Sequence, residues 1–210
     1  MSDFYVLRDY FGAGRNFTEL DYHEPLQLTD DVVSCFVAGE PLPENYPLLK
    51  IGLKVKGFGV PQAMQPGYYL AMHESLVRCI SSVGESHVQI KPCRLENAKN
   101  QEKIDDENFR HVHLLSPLPQ FEFLDVDRCR VEYGHGPKDL RRVDTLVLFE
   151  HRVPADRHIF KLTRMPIIFV RRRLRDLMLT AGLPELALEP IEEYRGDEIY
   201  PYLDHPIYQE

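Results

Sequence analysis

The stretch from Pro166 to Pro184, PIIFVRRRLRDLMLTAGLP, decides how the chain is read. It opens with an apolar run, Pro166-Ile167-Ile168-Phe169-Val170, of strand length and β-branched character. Leu174, Leu177, Met178 and Ala181 then recur at i, i+3, i+4 and i+7, the stripe of a helix with one face on a core. Gly182 suits a left-handed C-cap and Pro184 forbids continuation, so the spacing predicts a helix from about 171 to about 181. Four of the five residues 171–175 are arginines. Successive helical residues point about 100° apart, so Arg171, Arg172 and Arg173 fan around the first turn rather than forming one claw. A phosphate site would need a glycine-rich approach and free backbone N–H groups, which this segment lacks. Cations at a helix N-terminus are mildly unfavourable. The arginines are therefore expected to face solvent or acid partners, with Asp176, Glu189, Glu192 and Glu193 nearest in sequence.

A weaker echo lies near the other end. Pro25-Leu26-Gln27-Leu28 precedes a helix expected from Thr29, with Asp30 and Asp31 at its positive end, Val32, Val33, Phe36 and Val37 on its apolar face and Gly39 as its stop. The two patterns raise the prospect of a duplicated strand-helix unit. Other segments have strand character: 49–56, which alternates apolar with polar residues, and 67–72, 87–90, 121–124, 146–149 and 159–162. Sixteen prolines and twelve glycines punctuate them. The expected fold is α+β, a mainly antiparallel sheet with a few helices. Residues 96–110, ENAKNQEKIDDENFR, are almost free of apolar side chains and read as an exposed charged connector, loop or short surface helix. This divides the chain into an N-terminal subdomain (1–95), the connector (96–110), a C-terminal subdomain (111–191) and an acidic tail (192–210).

The chain has 210 residues, long enough to bury a sizeable core, and its longest apolar runs are far short of a membrane span. The first residues, Met1 to Tyr5, carry no signal-peptide pattern, so a cytoplasmic, membrane-free protein is expected. Cys35, Cys79, Cys93 and Cys129 form no C-x-x-C pair and are expected to be reduced. With 25 Lys plus Arg against 33 Asp plus Glu, the net charge of −8 repels nucleic acid and favours a basic partner.

Signals for catalysis are sparse. His111 and His113 share one side of a strand and form half of a possible zinc site, without the further ligands such a site needs. Cys129 and His135 raise a thiol–imidazole pair with no motif around it. Gly12-Ala13-Gly14-Arg15 lacks the third glycine of a dinucleotide loop, and no G-x-S-x-G occurs. These residues keep an enzyme of unknown chemistry open as the alternative. No cofactor is expected.

The end of the chain offers a different chemistry. Glu192, Glu193, Tyr194, Asp197, Glu198, Tyr200, Tyr202 and Asp204 interleave acids with tyrosines, a combination that gives contact area and steers a basic partner. Extended, the acids lie on average roughly 11 Å apart, against a screening length of ~8 Å, so the tail alone is too dilute to imitate DNA. Acids such as Glu19, Asp21, Glu24, Asp30 and Asp31 would have to fold beside it.

Two stretches carry a family resemblance. HIFKLTRMPIIFVRRRLRDLMLTAGLPELALEP, His158 to Pro190, and PGYYLAMHESLVRCI, Pro66 to Ile80, resemble a polymorphic-toxin immunity family, immunity protein family 11. The chain departs from it at Arg171, where a serine is common, and around Pro184-Glu185, where a second glycine is usual. The resemblance implies a bacterial immunity protein that binds and neutralises a cognate toxin, often a nuclease, and it carries no catalytic residues. A non-toxin-binding adaptor shares the same sequence features.

Overall fold

The computed structural model describes residues 2–8, 19–20, 34–36, 38–54, 63–64, 69–97, 100–105, 107–134, 136, 140–182 and 186–198. The fold is α+β, with three mostly antiparallel sheets among the described residues.

The central sheet has the order β11-β12-β1-β13, from β1 (Phe4–Arg8), β11 (Ile159–Lys161), β12 (Ile168–Arg171) and β13 (Ala187–Pro190). Side chains of a strand alternate between faces, and here both faces are buried. Phe4, Val6, Phe160, Ile167 and Phe169 enter one core, with Leu124, Val143, Leu146, Ile191 and Tyr194. Leu7, Ile159, Ile168 and Val170 enter another, against the helices α1 (Glu74–Ser82) and α3 (Arg172–Thr180). This accounts for the unbroken apolar run of 166–170: a strand covered on both sides has no wet face to alternate with.

The second sheet has the order β2-β3-β6-β8-β5-β4, from β2 (Glu19–Leu20), β3 (Leu49–Lys54), β4 (Ala63–Met64), β5 (Ala71–His73), β6 (Val88–Asn97) and β8 (Phe109–Leu114). β3 and β6 are parallel, and β7 (Lys103–Asp105) folds back antiparallel on β6. Its core gathers Phe36, Leu49, Ile51, Leu53, Tyr69, Cys93, Leu95 and Phe109. A third, small sheet has the order β14-β10-β9, from β9 (Arg130–Tyr133), β10 (Leu140–Thr145) and β14 (Asp197–Glu198). A short helix α2 (Gln120–Phe123) precedes it.

Helix α3 spans Arg172–Thr180, with Arg171 as N-cap and Ala181 as C-cap, and Gly182 has φ +70° as its αL role requires. Leu174 and Met178 are fully buried, while Leu177 lies at the rim, 36% exposed. The earlier helix is seen at 34–36 and 38. Gly39 ends it at φ +67° with Glu40 N–H donating to Cys35 O at 3.1 Å, the six-to-one bond of a Schellman stop. Its expected start, Thr29 to Val33, and the strand before it lie outside the described residues, as does any test of the duplication.

Four expectations need correction. Residues 121–124 are not a strand: Gln120–Phe123 is one helical turn, and Leu124 and Leu148 share only an isolated bridge. Residues 146–149 accordingly join no sheet, and lead into a 3₁₀ turn at Glu150–Arg152. The connector is neither a loop nor a helix throughout, because β6 runs to Asn97, β7 pairs with it and β8 begins at Phe109. Sheet pairing also crosses the expected subdomain boundary, since β1 lies between β12 and β13 and β8 pairs with both β5 and β6.

Candidate functional site

The start of the acidic tail is built into the domain. After β13, a 3₁₀ turn at Ile191–Glu193 places Ile191 and Tyr194 in the core, 3% and 0% exposed, with Glu192 and Glu193 exposed between them. The Arg8 guanidinium sits 4.5 Å from the Tyr194 ring centroid, and Arg8 Nε reaches Glu189 Oε2 at 2.7 Å. Burial pushes the Tyr194 hydroxyl up to about 12, so it stays a neutral phenol. Arg195 Nη1 donates to the Glu192 and Tyr194 carbonyls at 3.1 and 2.9 Å and closes the turn. Gly196 N–H donates to Asp144 O at 3.2 Å, and β14 joins β10 in the register Asp197↔Val143 and Glu198↔Arg142. A Cβ on Gly196 would lie 2.6 Å from Asp144 Oδ1 and 3.2 Å from Asp144 Cα, so any side chain here would have to push that carboxylate aside.

Tyr194 is therefore a core anchor, which corrects its expected place among surface contacts. Its ring is large enough to fill the end of the core, and the sequence pattern offered no sign that this tyrosine, unlike its neighbours, is apolar-facing. Glu192 also has a structural task. Its carboxylate accepts the Ser2 N–H, and that bond holds its carboxyl below the usual range. Glu193 is exposed. The side chains of Asp197 and Glu198, and all of Tyr200, Tyr202 and Asp204, lie outside the described residues, as do the side chains of Glu19, Asp21, Glu24, Asp30 and Asp31.

The arginines behave as structural partners. Arg171 stacks 4.7 Å from the Phe4 centroid, pairs with Asp3 Oδ2 at 3.2 Å, and donates to the Pro154 and Arg157 carbonyls at 3.0 and 3.2 Å. Arg172 reaches Asp3 Oδ1 at 3.7 Å and donates to the Ser2 carbonyl. Arg175 covers Tyr5 at 4.7 Å and pairs with Asp176 at 2.8 Å. The acid that meets the first two is thus Asp3, brought by β1 alongside β12. Sequence proximity pointed to Glu189 and Glu192, which instead hold Arg8 and Ser2.

The histidines of β8 lie inside. His111 is 0% and His113 3% exposed, in a box of rings with Phe36, Tyr46 and Tyr69. Burial lowers their pKa values to about 3 and about 4, so both are neutral near pH 7. Among the described residues no three His, Cys, Asp or Glu side chains come together as a metal set. Cys129 exchanges hydrogen bonds with Val147, its sulfur accepting from N–H at 3.2 Å, and burial pushes its thiol up to about 11. That opposes a thiolate nucleophile. Its suggested base, His135, lies outside the described residues.

Sequence reasoning missed a buried carboxylate. Glu85 accepts from the backbone N–H groups of His87, His158 and Ile159 at 2.9, 2.6 and 3.2 Å, fastening the end of α1 to the start of β11. Nothing in SSVGESH marks that glutamate as internal. Lys161 had a visible signal, a cation in the apolar run IFKL, and its ammonium donates to Phe36 O at 2.6 Å.

No helix among the described residues is long and apolar enough to cross a membrane. No protein-family model matches the chain, and neither does any curated protein.

Proposed function

We propose that this protein is an immunity protein, which binds and neutralises a basic toxin by covering its active site with an acidic, tyrosine-bearing edge. The observation that carries the reading is the anchorage of the acidic end: Ile191 and Tyr194 are sunk in the core on either side of exposed acids, and β14 then adds to β10. A segment so fixed loses little conformational freedom on binding, which favours affinity. The net charge of −8 supplies long-range attraction to a cationic partner. Nanomolar inhibition requires about 12 kcal/mol, the reach of an interface of ~1,200–2,000 Å² with a few strong anchors. The hairpin of β6 and β7, with exposed Glu102 and Glu107 near it, is a second candidate contact. The resemblance of residues 66–80 and 158–190 to an immunity family supports the same reading.

The test is association kinetics with the protein encoded by a toxin-like neighbouring reading frame. Changing Asp197→Asn, Glu198→Gln and Asp204→Asn together should slow association and flatten its salt dependence. Unchanged kinetics would remove the tail from the binding surface.

A further inference from the structure

Residues 34–36 and 38–46 lie over the second sheet without joining a ladder among the described residues. Side chains hold their backbone instead. Lys161 Nζ donates to Phe36 O at 2.6 Å, and His113 Nε2 lies 2.7 Å from Glu40 O, which it meets as a donor. The Gln89 amide accepts from Leu42 N–H at 2.7 Å and donates to Leu42 O at 3.2 Å, and Lys91 Nζ reaches Pro43 O at 3.4 Å. Ser116 N–H donates to Gly39 O at 2.8 Å. A segment held mainly by side chains opens more readily than one locked in a sheet.

Beneath it lies the box of rings. Phe36 packs edge-on to Tyr69 at 4.8 Å and to His113 at 5.3 Å, and Tyr46 lies 5.6 Å from His111. Among the described residues neither His111 ring nitrogen finds a hydrogen-bond partner, and neither does the buried Tyr46 hydroxyl. Such orphans are rare in native interiors and each leaves part of a desolvation cost uncompensated.

The groups facing the imidazoles come from every neighbouring element. β11 contributes Lys161, and β6 contributes Lys91 opposite His111 and Cys93 near Tyr46. Tyr69 precedes β5, and the overlying segment brings Tyr46 and Glu40, the last meeting His113 through its carbonyl. Among the described residues no carboxylate pairs with either imidazole.

We propose that residues 34–36 and 38–46 are an acid-released strap: protonation of His111 and His113, crowded with Lys161 and lacking a carboxylate, drives the strap off the sheet and uncovers the aromatic face. A buried imidazolium here would have no counter-charge, whereas lifting the strap lets water solvate it. The sign follows from the direction of the shifts. Closed-state values of about 3 and about 4 lie below the ordinary 6.5 that an open, hydrated imidazole regains, so the closed state is favoured above pH 6.5 and loses that advantage as pH falls toward 4. Lys161 works in the same direction, because burial lowers its pKa to about 8 and its charge is already under the strap at neutral pH.

Hydrogen exchange read by mass spectrometry between pH 7.5 and 5, corrected for intrinsic rates, tests this. The opening equilibrium of peptides within 36–46 should rise below pH 6.5 by about tenfold per pH unit for each imidazole taken up, so up to ~100-fold for two, and should stay well above that of α3 throughout. His111→Phe should lower that slope by one proton. A strap whose opening is independent of pH, or that opens only together with α3, would overturn the proposal. Should the variant fail to fold, NMR titration of the wild-type rings decides: His111 silent above pH 5 in the closed form supports the strap, and a normal titration near 6.5 sinks it.

Discussion

Arg8 lies across the ring of Tyr194, its guanidinium carbon 4.5 Å from the ring centroid, so a residue of the first strand secures one near the end of the described chain. The same arginine holds Glu189 at 2.7 Å. Through this contact the central sheet fixes where the acidic segment begins, and the proposed binding edge depends on it.

Tyr194→Ala should destabilise the protein by about 3–5 kcal/mol, the usual cost of deleting a buried aromatic ring. Tyr194→Phe keeps the ring and should cost about 1 kcal/mol. Urea unfolding of both variants checks this. Equal losses would mean that the hydroxyl, not the ring, anchors the tail.

Gly39 and Gly182 share a left-handed backbone, at φ +67° and +70°, but differ in surroundings. A Cβ at Gly39 would lie 2.3 Å from Pro117 Cδ and 2.9 Å from Ser116 N, whereas nothing lies within 4 Å of one at Gly182. Gly182→Ala should therefore cost about 1 kcal/mol from backbone strain, and Gly39→Ala clearly more. Thermal melts of the two variants separate strain from collision.

Arg171→Lys should destabilise by about 1–3 kcal/mol although charge is conserved. A lysine cannot serve Asp3, two backbone carbonyls and the Phe4 face at once, as the planar guanidinium does. Denaturant titration of R171K beside R173K, at an exposed site, isolates the effect.

Global stability should fall as pH drops from 6.5 toward 4. His111 and His113 bind protons in the unfolded chain throughout that window, while their folded values lie at about 3 and about 4. Each contributes a slope of up to about 1.4 kcal/mol per pH unit. Unfolding free energies at pH 7, 6 and 5, in wild type and His111→Phe, measure it.

The strand-helix unit around Pro166 was legible because its periodicities are strong and its stop signals, Gly182 and Pro184, are local. Gly39 was legible for the same reason. Helix α1 was not: Leu76, Val77 and Ile80 sit close behind the strand-like YYLAM, and its N-cap is His73, whose Nδ1 accepts from Ser75 N–H at 3.3 Å, rather than the usual serine or aspartate. Phe121 to Leu124 look like a strand by composition, yet Pro119 begins a helical turn there. The pairing of β1 with β12 and β13 joins residues more than 160 positions apart in sequence, a relationship no local pattern contains. Of the candidate site, acidity and aromaticity could be read from the chain, but not the inward turn of Tyr194 or the engagement of Glu192 with Ser2.

Neutralisation by binding is tested most directly by growth rescue. Where a toxin-like reading frame adjoins the gene, its product is expressed in a susceptible bacterium with and without this protein, and the two proteins are co-purified. Restored growth with a stoichiometric complex, weakened by the triple change Asp197→Asn, Glu198→Gln and Asp204→Asn, is the predicted result. Growth arrest unaffected by the protein, with no complex formed, would contradict it.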